Sequence, residues 1–439
     1  MGIKGLVKLI SEVAGEEAIK FRKFSEFIKK TKTDDGKEKM TEMTVSVDAS
    51  LMIHKTVIAM RSSGKDMTNK EGQLTSHING ILHKCLNFLG NMIVPIFVFD
   101  GKAPKIKSKS LAKRKARKDF AEEFLKNPDL SEEKRTRYFK QTFRPSKEDI
   151  DEAKILLDLM GIPYIVAPGE ADVVCAWLTT RPHQGKSYAC GVCSDDSDML
   201  ALGAPYLFRD MLRFMNKRKM VQVISLKRTL NKMKLSMDQF VDLCVLLGND
   251  NCDNIKGIGP KRAYHLILTH GDLESVFEAL NDNKNSDDSS CNSSCSSDSD
   301  PSEENTVQEC MLRARDYFKN ALSEIDNSKT FVLTDDQLKL RKCQYEELID
   351  FLCTKHNFDL RRVLKDTERL KQCQELMNVN RENTKKVHTI IQIRSSDYVM
   401  RSPTDNIECL PSSDEEENGK KEIRPTKKTS CPSQHKRRY

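Results

Sequence analysis

Three carboxylates, Asp195, Asp196 and Asp198, crowd into four positions directly after the apolar run Tyr188–Val192. Like charges this close repel, so the cluster needs a cation or a solvated turn that screens it. Taken alone, an acidic loop with an Asx-type turn explains the stretch as well as a site does. Recurrence shifts the balance. Apolar runs also lead into Asp48 (Val45-Ser46-Val47), Asp100 (Ile96-Phe97-Val98-Phe99) and Asp250 (Val245-Leu246-Leu247-Gly248-Asn249), the last compatible with a helix. Glu170 and Asp172 follow the run Gly161–Val166. Carboxylates without histidine or cysteine partners suit hard, oxygen-seeking cations such as Mg²⁺ or Mn²⁺ rather than zinc. Asp48, Asp100, Glu170, Asp172, Asp196, Asp198 and Asp250 are more than one ion needs. Two ions could position and deprotonate a water, clamp a phosphate and stabilise the leaving oxygen of an in-line displacement. A Ca²⁺ store is the competing metal reading, but no EF-hand-type loop with a closing Glu supports it.

The elements that would carry these residues alternate between strand and helix over 44–210. Strand-like runs end at Asp48 and Asp100, while helical spacing marks 51–61, 76–92 and 148–160. This pattern predicts an α/β fold with a mostly parallel central sheet flanked by helices. Ligands of such sheets sit outside the carboxyl ends of the strands, where Asp48, Asp100, Asp196 and Asp198 fall. One rule thus gathers residues spread along the chain. Before this region, Leu6, Leu9, Ile10 and Val13, then Phe21, Phe24, Phe27 and Ile28, give 5–30 helical spacing, and the polar segment 31–40 reads as a hairpin or loop.

Charge is segregated rather than large. The 439 residues hold 73 basic and 65 acidic side chains, for a net +8. Lys102, Lys105, Lys107, Lys109, Lys113, Arg114, Lys115, Arg117 and Lys118 crowd one stretch, and through 102–118 no acid balances them at i, i+4. A solvated helical hairpin of that composition would fray, so 102–147 reads as an arch that binds phosphates. The segment Asn254–Ala263 adds a turn with Gly257 and Gly259 around an apolar residue, and Pro260 where a helix would begin. Backbone N–H groups there can face a phosphate, with Lys261 and Arg262 adding charge. The fourteen cysteines form no zinc pattern and read as reduced thiols of an intracellular protein. No run is long enough to span a membrane, and the start lacks the Ser or Thr that myristoylation of Gly2 would want.

Several of these stretches together resemble one family. They are Met-Gly-Ile-x-Gly-Leu at the start, Val-Asp-Ala-Ser at 47–50, Val-Phe-Asp-Gly-Lys at 98–102 and Leu-Ala-Lys-Arg at 111–114. Met-Gly-Ile-Pro-Tyr at 160–164, Glu-Ala-Asp at 170–172, Asp-x-Asp at 196–198, Leu-Gly-x-Asp at 247–250 and Gly-Ile-Gly-Pro-Lys-Arg-Ala at 257–263 continue the order. Over roughly 1–380 the chain is similar to flap endonucleases of the XPG-type structure-specific 5′ nucleases. The resemblance implies a PIN-like nuclease core with a helical arch and a helix–two-turn–helix. It implies that Asp48, Asp100, Glu170, Asp172, Asp196, Asp198 and Asp250 bind two Mg²⁺ ions, with Mn²⁺ able to substitute. Lys107 and Arg114, spaced for adjacent turns of one helix face, match the basic pair that steers the scissile phosphate. Gly257, Gly259, Lys261 and Arg262 match the element that holds duplex DNA and a K⁺ ion, and Gly2 matches a residue packed beside the site.

The expected activity is 5′ flap endonuclease with 5′-to-3′ exonuclease action on branched or nicked DNA in replication and repair. Alternatives are a predominantly 5′-to-3′ exonuclease of the same family and a non-catalytic junction binder. His54 stands where flap endonucleases carry a base-stacking tyrosine, which points toward the exonuclease branch. Asp172 replaces a longer Glu, and Asp195, where Glu is usual, is expected to contact the ligands from behind.

The expected segments are 1–101 (N-terminal nuclease region), 102–147 (arch), 148–282 (internal nuclease region), 283–306 (acidic, Ser-rich disordered insertion), 307–380 (C-terminal helices) and 381–439 (disordered tail). Gln392, Tyr398 and Val399 match the outer spacing of a sliding-clamp box, but Ser395 fills its aliphatic place. The expected protein is a monomer without membrane contact. Basic runs in the tail suit a nuclear location, or a viral replication site if a large DNA virus encodes it.

Overall fold

The computed structural model describes residues 2–27, 29–32, 38–61, 66–69, 71–72, 74–102, 107–183, 186–212, 220–286, 301–329 and 331–394. Helix α1 (Leu6–Val13) buries Leu6, Leu9 and Ile10 on one face, and a single turn, α2 (Gly15–Ala18), follows. The helix expected to continue toward residue 30 stops here. Strand β1 (Ile19–Lys23) takes its place, with Ile19 buried and Phe21 exposed. Of the phenylalanines at three-residue spacing, only Phe21 lies in the strand; Phe24 and Phe27 fall in the single 3-10 turn Phe24–Phe27 that follows it. The polar segment is an antiparallel hairpin, β2 (Lys29–Lys32) with β3 (Glu38–Thr41), as expected.

Next come β4 (Met43–Asp48), α3 (Ala49–Met60), α4 (Ser76–Leu89) and β5 (Ile93–Phe99). Every residue of β5 is buried, the outcome for a continuous apolar run in a parallel sheet covered on both faces. Helices α5 (Ser108–Leu125) and α6 (Glu132–Thr142) pack as a hairpin. A capping box between Ser146 and Asp149 then starts α7 (Lys147–Leu159), which leads to β6 (Tyr164–Val166). Arg61, the C-cap of α3, anchors the returning arm of the hairpin. It donates to Phe139 O and Thr142 Oγ1 at 3.0 and 3.1 Å, lies 4.2 Å over the Phe139 ring, and is held by Asp66 at 2.7 Å.

The chain continues through α8 (Ala171–Thr180), the small hairpin β7 (Pro182–His183) and β8 (Lys186–Ser187), and β9 (Val192–Cys193). The strand expected over 188–192 shortens to Val192–Cys193 because the Ala189 N–H leaves the ladder for Leu178 O. Then come α9 (Asp198–Ala201), β10 (Tyr206–Arg209) and β11 (Met220–Ser225). The main sheet has the order β1-β11-β10-β9-β4-β5-β6, and only β11 runs against its neighbours. The chain builds from β4 to β5 and β6 on one side, then returns to β9 and β10 on the other. That makes β4 and β9 the switch point, where an open α/β sheet leaves a crevice.

Helices complete the molecule: α10 (Leu226–Met233), α11 (Met237–Leu246), α12 (Pro260–His270), α13 (Leu273–Ser286), α14 (Pro301–Asp326), α15 (Tyr345–Asp350) and α16 (Leu360–Arg394). Two expected boundaries move. Helices α13 and α14 reach into the insertion expected at 283–306, leaving 287–300 outside the described residues. Met311, Ala314, Phe318 and Ala321 bury one face of α14, and Pro301 is its first residue. The tail expected to be disordered from 381 begins instead as the last turns of α16, where Arg381 grips Glu42 with two bonds of 2.8 and 2.7 Å. The remainder of the tail, with Ser395, Tyr398 and Val399, lies outside the described residues. The ten described cysteines are free, and no described helix is long and apolar enough to cross a membrane.

Candidate active site

Strand ends and helix starts deliver the carboxylates. Asp48 ends β4 and caps α3, its Oδ1 accepting the Leu51 N–H at 2.9 Å. One strand over, Asp100 follows β5 and accepts the N–H of Ala171, the first residue of α8, at 2.9 Å. That bond ties it to Glu170, the N-cap of α8, and to Asp172 in its first turn. Across the switch point, Asp196 follows β9 and accepts the Asp198 N–H at 3.0 Å, at the start of α9. Helix N-termini offer unpaired N–H groups and the positive end of the dipole, which suits negative side chains. Asp250 arrives just beyond α11.

The cluster is electrostatically strained. Burial, reinforced by Asp100, raises the Asp48 carboxyl to about 7. Burial, then repulsion from Asp48 and Asp196, pushes Asp172 well above the usual range; burial and Asp196 do the same to Asp198. Asp172 Oδ1 and Asp198 Oδ1 are buried and make no hydrogen bond. Burying charge this way is costly unless a cation compensates. Two basic side chains do so in part. Lys107 Nζ lies 2.6 Å from Glu170 Oε1, and Arg114 pairs with Asp250. Burial alone would lower the Lys107 ammonium, but Asp172 and Glu170 outweigh it and hold its pKa above the usual value. With these pairs in place, no three His, Cys, Asp or Glu side chains among the described residues are arranged to hold an ion. The donor set still fits hard cations: it is all oxygen, it outnumbers the basic groups, and two oxygens lack any partner.

Gly2 lies where expected. Its φ of +86° is left-handed, and a methyl group there would overlap Asp196 Oδ1 and Ser197. The adjacent Ile3 N–H donates to Ser197 Oγ at 3.0 Å. Lys107 is the N-cap of α5, and Arg114 follows seven residues later on the same face. His54, half-buried on α3, has its ring 6.0 Å from Phe143. Burial, then Arg144 and Lys55, lowers it to about 4, so it is neutral at physiological pH.

The helix–two-turn–helix is formed by α11, the turn through Gly257 (φ +80°) and α12, which Gly259 caps. Lys261 and Arg262 are exposed at the start of α12, with Lys261 3.4 Å from Glu12. His54 and the residues at 257–262 stand outside the carboxylate cluster itself.

Two contributors were missed in the sequence. Tyr317 of α14 donates its O–H to Glu170 Oε2, so arch and C-terminal helix each hold one oxygen of that residue. Helical spacing with Ala314 and Phe318 is all that its sequence context offers, and a buried tyrosine's polar tip needs a partner that spacing cannot name. Lys55 pairs with Asp195, whose Oδ1 also accepts the Asp210 N–H at 2.8 Å. Asp195 is thus tied to Lys55 and to the Asp210 backbone, and not to the carboxylates it was expected to contact.

Comparison with known proteins bears on the family and the fold. The XPG N-terminal domain model matches residues 1–121 and the XPG I-region model matches 161–250. Between them, 122–160 holds the end of α5 and all of α6 and α7. Flap endonuclease 1 of Homo sapiens is 34% identical over 377 residues, 85% of this chain and 88% of the relative. That of Phytophthora infestans is 33% identical over 388 residues, 87% of this chain and 91% of the relative. Among solved structures, flap endonuclease-1 from Methanococcus jannaschii matches with a TM-score of 0.54 at 24% identity, covering 81% of this chain and 96% of that one. The catalytic core of Rad2 in complex with DNA substrate matches with a TM-score of 0.55 at 20% identity, covering 84% and 100%. At these identities the two structures speak to the fold alone.

Proposed function

The chain belongs to the flap endonuclease family, and we propose that it is a metal-dependent nuclease that cuts 5′ flaps at the junction of single-stranded and duplex DNA. The observation that carries this reading is the gathering of strained, partly unpartnered carboxylates under a basic arch, with Lys107 and Arg114 reaching into them. Asp48, Asp100, Glu170, Asp172, Asp196, Asp198 and Asp250 would hold two Mg²⁺ ions, or Mn²⁺ in their place. When bound, such ions supply Lewis-acid stabilisation of the phosphate and a stronger water nucleophile. Lys107 and Arg114, freed from their carboxylates, would then bind the oxygens of the scissile phosphate. Neutral His54 offers a flat face to a base near the junction. The N-terminus of α12, with Gly257, Gly259, Lys261 and Arg262, would hold the duplex backbone and a K⁺ ion.

The segments 1–101, 102–147, 148–282 and 307–380 would act as one nuclease unit, with 102–147 as the arch over the flap. A monomer acting in replication and repair fits this reading. So does a nuclear location, or a viral replication site, with a sliding clamp contacting Gln392–Val399. A second reading, predominantly 5′-to-3′ exonuclease action, is favoured by His54 in place of tyrosine.

Cleavage of an end-labelled 5′-flap duplex and a blunt nicked duplex tests both readings. Wild type is compared with Asp196→Ala, each with Mg²⁺ and with chelator. One cut at the flap base, lost with Asp196 or with Mg²⁺, is the expected result. A ladder of mononucleotides from the nick would favour the exonuclease reading. Tight junction binding without any Mg²⁺-dependent cut would leave a binding protein.

A further inference from the structure

The carboxylate cluster is assembled from two sides of the switch point. Asp48 belongs to β4 and α3, whereas Asp196 and Asp198 follow β9 and open α9. The ladder between β4 and β9 ends at the pair Val47–Cys193, so the loop 194–198 lies beyond it. That loop is tied mainly to itself. The Asp196 N–H donates to Ser194 Oγ and the Asp198 N–H to Asp196 Oδ1, each at 3.0 Å, while Ser197 Oγ accepts the Ile3 N–H. None of these three bonds reaches β4 or α3.

Lys55 does reach across. It lies on α3 seven residues after Asp48, about 10 Å along the helix. Its ammonium pairs with Asp195, and both side chains are largely buried. Asp195 is the neighbour of Asp196, and its Oδ1 also accepts the Asp210 N–H at 2.8 Å. Asp210 follows β10 with a φ of +61°, a left-handed conformation that a non-glycine residue keeps only when its surroundings hold it. The next residue, Met211, is held from α4, where buried Lys84 donates to its carbonyl at 2.9 Å. Helices α3 and α4, the loop 194–198 and the turn after β10 are thus joined through two lysines. A pair this sheltered adds little stability over apolar side chains of the same size, so its geometry is what it contributes.

We propose that Lys55 is a positioning residue, whose pair with Asp195 sets the loop 194–198 at the separation from Asp48 that lets both sides hold the same divalent ions. The proposal rests on the metal-dependent nuclease reading and deepens it by naming what fixes the spacing of the site. Ligands supplied by two elements bind an ion well only where those elements already stand at the right distance. The charge of Lys55 works in the opposite direction, because a cation near the site repels an incoming cation. Position and charge are therefore separable by sign.

The test measures Mg²⁺ binding to the full-length protein by calorimetry. Wild type is compared with Lys55→Met, Lys55→Arg, Asp195→Asn and Lys55→Met/Asp195→Asn, and melting temperatures in chelator show that each is folded. If charge alone mattered, Lys55→Met would tighten Mg²⁺ binding, Asp195→Asn would weaken it, and the double variant would match wild type. Positioning predicts that both single variants bind about tenfold more weakly, the scale for groups that orient metal ligands. The double variant should lose no more than either single one, since all three lack the same contact. Lys55→Arg keeps the pair and should retain wild-type binding. Should Lys55→Met fail to fold, the double variant decides, because it removes both charges together. Unchanged or tighter binding in a folded Lys55→Met or in the double variant overturns the proposal, as does a double loss equal to the product of the two single losses. If wild type still cuts a 5′ flap with Mg²⁺ in that case, the nuclease reading stands without it. If wild type binds no Mg²⁺, both fall.

Discussion

The carboxylate cluster and the arch carry opposite charge and are built on opposite terms. The cluster lies at the ends of β4, β5 and β9, with Asp196 and Asp198 buried, Asp48 and Asp172 half-buried and Asp100 exposed; backbone amides hold Asp48, Asp100 and Asp196, and desolvation with mutual repulsion raises Asp48, Asp172 and Asp198. The arch keeps its charges in water, its helices joined by aromatic rings and its return tied down by Arg61. One region is held in an unfavourable state by the fold, and the other is kept ready at little electrostatic cost. They meet through Lys107 and Arg114, which neutralise carboxylates while no phosphate is bound. A site of this kind stores its strain in the part that must not move.

The largest expected effect comes from breaking the buried side. Asp196→Ala should lower flap cleavage by about a thousandfold or more, with flap binding in chelator retained, as read by single-turnover kinetics and anisotropy. Breaking the basic side should do less. Lys107→Ala or Arg114→Ala should each lower the single-turnover rate by about a hundredfold, the scale of one lost contact to developing charge. Equal losses from both sides would erase the distinction.

Tyr317→Phe keeps the ring and removes only the bond to Glu170. It should raise the Mg²⁺ concentration for half-maximal binding by about tenfold, measured by calorimetry, with little change in melting temperature. The smallest effect is on stability. Asp48 titrates near 7 when folded, against a reference value of 3.8. Between these values the folded protein holds a proton that the unfolded chain has lost, so stability falls as pH rises across the window. His54, lowered from 6.5 to about 4, acts in the other direction, losing stability as pH falls through that range. Asp172, Asp198 and Asp242 are raised like Asp48, and His83 and His356 are lowered like His54; with the carboxylates in the majority, the chelated protein should melt a few degrees lower at pH 8 than at pH 5.5. Asp172→Asn should narrow that gap.

The carboxylates were legible because each follows an apolar run, and the rule for open α/β sheets places such residues together. The basic arch was legible from uncompensated charge. Strand β1 was not, since Phe21, Phe24 and Phe27 are spaced like a helix face although Phe21 alone lies in the strand and the other two in a 3-10 turn. The reach of α16 past 380 was present in Val363, Leu370 and Met377, spaced by seven and all buried, with Arg381 continuing their side of the helix. Polar composition obscured it. Tyr317 could not be found from spacing, because its importance lies in which carboxylate its hydroxyl meets across the fold.

Arg61 and Asp48 stand at the two ends of α3, one holding the arch's return and the other completing β4. A helix of twelve residues is a stiff rod about 18 Å long. Force applied to the far limb of the arch by a strand pulled beneath it would therefore be transmitted along that rod to the carboxylate at its other end. The return of the arch and the carboxylate at the switch point of the sheet are therefore fixed to one and the same rigid element.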